Sequence, residues 1–263
     1  MSSNIDKELS LAVAFYNHFQ FPKSSELFVK ISKKMLTENT ELNSVDKSIV
    51  KDVLKSIEWR YTLKAETVNI PVFKDEIHEY YEIAVLHITV KNLYQTKQLC
   101  KLLHSQIPYP TLLVLEFEGA IAISLADKTV NQTDNSKLVI QYQYDTGWLT
   151  HEMAGKSLYK HFLLDMCFQN CSLVSLYDFY QDLIKKINLL EAGFFTGVYE
   201  PGKQTNLSNE QLTCQLVALK KLESKLNTIR NEIKKETQMN AKMYLNVEAK
   251  KVKDSIGKLK RSL

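Results

Sequence analysis

The chain has 263 residues, 44% apolar and 24% charged, with only 7 Gly and 5 Pro. That is enough for one or two domains with a sizeable core, and it excludes collagen-like and low-complexity classes. No apolar stretch reaches the roughly 18 residues a membrane span needs. The first ten residues lack a basic-then-apolar layout, so neither a signal peptide nor a membrane partner is expected. Four scattered cysteines (Cys100, Cys167, Cys171, Cys214) argue against a disulfide framework and for a reducing, cytoplasmic setting. The net charge of +4 is uneven. Residues 205–263 hold thirteen Lys/Arg against six Asp/Glu, leaving 21 basic and 24 acidic side chains elsewhere.

In chain order, residues 1–58 read as a helical section. Leu9, Val13, Phe15 and Tyr16 begin an apolar stripe that Phe21-Pro22 breaks. Ser25 to Ile31 suggests a short second helix. Val45, Ile49, Val53, Leu54 and Ile57 mark a third, with Ser44 as its cap.

Residues 59–150 change period. Trp59, Tyr61 and Leu63 alternate with polar residues as a half-buried strand, which Thr67 to Ile70 extends up to Pro71. Ile83–Val90 and Thr111–Phe117 are apolar and β-branched, as inner strands are. Between them, Leu93 to Ile107 forms a helix closed by Pro108. Glu118-Gly119 predicts a tight turn, with 120–126 as the hairpin return and 138–144 as a further strand. The fold class is therefore α+β: a small mixed or antiparallel sheet with helices on one face, followed by a helical, coiled-coil-like C-terminal extension.

Residues 151–195 are amphipathic helix again, packing on the body, with Gly193 as a stop. A polar linker, 196–207, contains Pro201-Gly202. Ser208 then caps a basic helical arm, 208–263. Leu212, Leu219, Leu226 and Ile233 occupy one heptad row and Leu222 and Ile229 the other; the seam degrades after about three heptads. It suits a partner helix, a second copy of the chain, packing on the body, or a hairpin, and one helix or two are both open. The same arm carries Lys220, Lys221, Lys234, Lys235, Lys250, Lys251, Lys253, Lys258 and Arg261, a candidate contact for DNA phosphates.

Catalytic signals are few. His87 reads as a core imidazole, and no two histidines have a metal-binding spacing. Cys167 and Cys171 share a face and read as small apolar side chains, not as ligands. No phosphate loop, dinucleotide fingerprint, nucleophile elbow or zinc motif occurs, so no cofactor and no metal are expected. Restriction-type nucleases place carboxylates and a lysine around a metal beside one strand and ahead of a helix. Glu82 and Lys91 flank such a strand and are the catalytic candidates, but Thr89 stands where a second acid is needed, so the metal cage is incomplete.

The string Phe21-Pro22-Lys23-Ser24, with Ile31, Lys33-Lys34 and Asp46-Lys47, resembles the start of a bacterial family called domain of unknown function 4391. So do Ile57-x-Trp59-x-Tyr61-x-Leu63, Thr67-x-Asn69-Ile70, Glu82-Ile83, Ile107-Pro108-Tyr109-Pro110 and Trp148. In the tail, Lys235-Glu236-x-Gln238-x-Asn240, Leu245-Asn246 and Glu248 continue the resemblance. Ser32 departs from it, where proline is expected. The family carries no established activity. Its members tend to be encoded beside helicases and DNA adenine methyltransferases, in clusters that resemble restriction or phage-defence systems. The resemblance thus implies a subunit of a DNA-processing complex with a helicase or methyltransferase as partner. With the apolar seam Leu212 to Ile233, the expectation is a non-catalytic accessory subunit binding that partner through 208–263; a DNA-binding module and a divergent nuclease are the alternatives.

Overall fold

The computed structural model describes residues 10–38, 42–131, 138–201 and 207–263. They form two compact units, Met1–Ile187 and Asn188–Leu263.

The first unit opens with α1 (Leu11–Phe19), capped by Ser10, whose hydroxyl accepts from the Val13 amide. Then come β1 (Glu26–Ile31), α2 (Lys33–Thr37), α3 (Ser44–Val53), β2 (Leu54–Lys64), α4 (Ala65–Val68) and a minimal hairpin of β3 (Phe73–Lys74) and β4 (Glu79–Tyr80). β5 (Glu82–Val90), α5 (Thr96–Gln106), β6 (Thr111–Phe117), β7 (Ala120–Val130) and β8 (Leu138–Asp145) complete the sheet. α6 (His151–Ala154), α7 (Ser157–Asp165) and α8 (Leu176–Thr196) follow, and the boundary between the units falls within α8. The expected stripe start at Leu9 lies outside the described residues.

The main sheet has six strands in the order β1-β2-β5-β6-β7-β8. Every neighbouring pair is antiparallel except β5–β6, which α5 connects as a crossover. The α+β class thus holds, with a mostly antiparallel sheet and C-terminal helices. Glu118 and Gly119 take left-handed backbone (φ 47° and 82°), as a two-residue hairpin turn requires.

One sheet face meets α3 and α5 in a core that includes Ile57, Leu86, Ile88, Leu113 and Leu115. The other face carries helices as well, a correction to the expected one-sided cover. His87 points there, opposite to Leu86 and Ile88, and meets Tyr16 of α1. Tyr180 of α8 donates its hydroxyl to the Thr111 carbonyl and accepts from the Ala126 amide. A sheet with two apolar faces needs both covered.

Residues 26–31 are an edge strand instead of the expected helix. They pair with β2 through a bulge that sets Leu27 and Phe28 opposite Arg60, and Phe28 has φ 50°. Pairing with β2 satisfies one side of the backbone, while the bulge and Lys30 disrupt the free edge. Four boundaries also differ. Leu54 and Ile57 belong to β2, and Asn43, not Ser44, caps α3 by accepting from the Asp46 amide. Residues 65–68 turn as helix, where Thr67 accepts from the Lys64 amide. Gly193 lies inside α8, which ends at Thr196 just before Gly197 at φ 87°.

The second unit holds the end of α8, α9 (Asn209–Lys235) and α10 (Met239–Ser262). Residues 202–206 of the expected linker lie outside the described residues.

Candidate functional site

The C-terminal arm is a helical hairpin. Ser208 caps α9 as expected: its hydroxyl accepts from the Gln211 amide, and the Gln211 side chain accepts in return from the Ser208 amide. α9 stops at Lys235, and the Glu236 carboxylate accepts from the Thr237 and Gln238 amides at 2.8 Å each. Those bonds orient the chain for its return as α10. Leu212, Leu219, Leu226 and Ile229 are buried in this unit and Leu222 and Ile233 half-buried. Ala249, Val252 and Ile256 of α10 are buried with them. Of the readings the seam left open, the hairpin is the one observed: α10 folds back along α9 and covers the seam within the chain. Ion pairs tie the two helices together, Lys225–Glu248 at 2.8 Å and Lys260–Glu223 at 3.1 Å. Lys220 reaches Glu191 at the end of α8, 2.6 Å away.

The opposite side of α10 is uncovered. Met239 (73% exposed), Met243 (62%) and Val247 (54%) recur every four residues, and Tyr244 (71%) stands beside them. Such spacing aligns side chains along one face of a helix. Continuing that face come Lys250, Lys251, Asp254, Lys258 and Arg261, all exposed. Lys220, Lys221, Lys234, Lys235 and Lys253 are exposed too. A hollow of about 510 Å³ at the hairpin tip is lined by Glu232, Lys235, Ala241, Tyr244 and Leu245. The sequence carried a signal for this face: Met243 and Val247 are where the heptad row lost its leucines.

The nuclease candidates are not brought together. Glu82 opens β5 and Lys91 follows its last residue, so roughly 30 Å of extended chain separates them. Glu82 accepts from Lys64 Nζ at 2.9 Å, and Lys91 Nζ donates to the Lys51 carbonyl at 2.6 Å. Among the described residues, no group of three or more His, Cys, Asp or Glu side chains is placed to hold a metal.

Two polar clusters inside the first unit fasten elements. His87 Nε2 lies 3.0 Å from the Glu116 carboxylate and its Nδ1 3.3 Å from the Tyr16 hydroxyl. Burial, with Arg60 adding to it, pushes the imidazole below its ordinary value, against the pull of Glu116 and Glu58. A neutral ring donating to Glu116 and accepting from Tyr16 fits both contacts and holds α1 to the sheet. Burial also raises the Tyr16 hydroxyl far above its ordinary range. Lys128 of β7 is 3% exposed, and burial drives its ammonium down to about 7. Its Nζ donates to the Ile107 carbonyl at 2.8 Å and the Tyr109 carbonyl at 2.6 Å, closing the end of α5.

Between α5 and the sheet runs a cavity of about 390 Å³, lined by Cys100, Leu115, Ser124, Asp145 and Trp148. Cys100 and Cys171 are each pushed up to about 12 by burial, so both thiols stay protonated and unreactive at neutral pH.

An α+β body followed by a basic helical hairpin describes a class of architecture and not a chemistry. The chain belongs to the family described as Domain of unknown function (DUF4391), whose match runs over residues 19–256 and so takes in the hairpin up to Ile256. No curated protein and no solved structure matches it.

Proposed function

We propose that this chain is a non-catalytic accessory subunit of a DNA-processing complex, of the restriction or phage-defence kind, and that it docks a helicase or DNA methyltransferase through the C-terminal hairpin. The observation that carries this reading is the uncovered face of α10. Four large apolar side chains, Met239, Met243, Tyr244 and Val247, stand more than half exposed on one helix whose other face is already packed. Clustered apolar exposure of this kind marks interaction surfaces. The choice of partner comes from the family resemblance.

The test is affinity capture of the full chain from its native host, with nuclease treatment. Wild type should retain one of these enzymes at near-equal stoichiometry, and Met243→Asp should lose it. Equal retention by the variant rules the hairpin face out as the docking surface.

DNA binding is the second reading. All nine basic candidates are exposed, and only Lys220 has an ion-pair partner among the described residues.

A further inference from the structure

Resting on the docking role proposed above, we infer that the partner offers α10 an acidic amphipathic segment, a helix whose apolar residues recur every three or four positions and whose flanking residues are Asp and Glu. The face that receives it has two halves in one line. Met239, Met243 and Val247 supply apolar anchors near the hairpin tip, with Tyr244 beside them. Lys250, Lys251, Lys258 and Arg261 then continue that line toward the C-terminal end. α10 carries seven Lys/Arg against two acids, Glu248 and Asp254, and Glu248 is engaged by Lys225. An occupant of this whole line must be apolar at one end and negative at the other, which is charge complementarity of the kind that sets orientation as well as affinity.

The alternatives fit less well. A second copy pairing about Met243 would set like charge against like charge along α10, which carries seven Lys/Arg and two acids. It would also bring together two tails that each carry thirteen basic and six acidic side chains in residues 205–263. A nucleic-acid backbone would use the lysines. However, Asp254 sits exposed in the middle of that basic row, and phosphates have no use for the three anchors at the tip. A protein segment can place a single cation opposite Asp254.

The experiment places a photoreactive benzophenone side chain at Met243 in one full-length protein and at Lys251 in another. Both are exposed, so packing is undisturbed. After irradiation in the native host and nuclease treatment, the crosslinked peptides are sequenced. Both positions should mark one segment, with apolar residues at three- and four-residue spacing and a clear excess of acids. A basic or neutral segment, a crosslink to this same chain, a nuclease-sensitive product, or no product at all overturns the inference.

Two substitution sets separate it from the underlying role. The triple reversal Lys250→Glu, Lys251→Glu, Lys258→Glu should weaken capture on the order of 10- to 100-fold, because each change turns an attraction into a repulsion. Loss on Met243→Asp with no effect of the triple reversal removes the acidic partner and leaves the docking role standing. Retention in both removes the docking role itself. Circular dichroism and thermal unfolding of each variant should match wild type.

Discussion

Lys128 offers a sharp check on the core of the first unit. Its side chain is buried on β7, and its ammonium falls from an ordinary 10.5 to about 7 in the fold. Between those values the unfolded chain holds a proton that the folded chain lacks. Stability must therefore rise with pH through this window and be lost as pH falls toward 7. Cys100 and Cys171, raised by burial, act in the opposite sense once unfolded thiols ionise, above about pH 8.5. His87 and His104 are lowered by burial, so their contribution grows with pH up to the ordinary imidazole value of about 6.5 and adds only a small tail above it. The clean window is then about pH 7 to 8.5, where the linkage relation gives a gain of about 1.5 kcal/mol from Lys128 alone. Urea unfolding at half-unit steps should show this rise in wild type. Lys128→Met should lose most of this rise, any remainder coming from the histidines and from Lys33, which burial and Lys91 also lower. It should also lose roughly 1–3 kcal/mol for leaving the Ile107 and Tyr109 carbonyls without their donor. A wild-type profile without slope, or an equal slope in Lys128→Met, would refute the assignment of a neutral buried amine.

Leu219 is fully buried in the hairpin unit, so Leu219→Ala should destabilise it by about 2–5 kcal/mol in chemical denaturation. Val247→Asp on the uncovered face should stay within about 0.5 kcal/mol of wild type in the same assay. If the basic residues grip DNA, the slope of log affinity against log salt for a duplex should fall by about one for each of Lys250, Lys251 and Lys258 changed to Gln; an unchanged slope dismisses the phosphate contacts. Glu82→Ala and Lys91→Ala should leave any magnesium-dependent cleavage by a preparation unchanged, since the two residues lie at opposite ends of β5.

The strands legible in the sequence are those with regularly spaced or continuous burial. Trp59, Tyr61 and Leu63 are all buried or half-buried, although a bulge between Trp59 and Tyr61 turns Trp59 to the core under α3 and α5 and Tyr61 to the opposite face, beside Tyr16. Ile83–Val90 and Thr111–Phe117 are continuous apolar runs because helices cover both faces. β1 hides for a physical reason. Leu27, Phe28 and Val29 are all about half exposed, and the bulge at Phe28 breaks the two-residue period on which strand recognition rests. The fused end of α3 and start of β2 has a similar origin. Val53, Leu54 and Ile57 all enter the same core, and their spacing suits a helix as well as a strand entered without a loop.

The hairpin shows why a seam alone does not name its occupant. Leu212, Leu219, Leu226 and Ile229 demand cover, and a partner helix, a second copy or the chain's own return would each provide it. What decides between them lies where the seam fails, at Glu236, whose carboxylate binds the amides that begin α10. A glutamate in a run of Lys and Glu carries no turn signature, so the reversal is invisible to periodicity. Once α10 has folded back, Ala249, Val252 and Ile256 are fixed inward. A single helix has two sides, and that constraint sends Met239, Met243 and Val247 outward. The same reversal that satisfies the first apolar surface thus creates the second, and it leaves that surface in line with Lys250, Lys251 and Lys258 instead of with leucines.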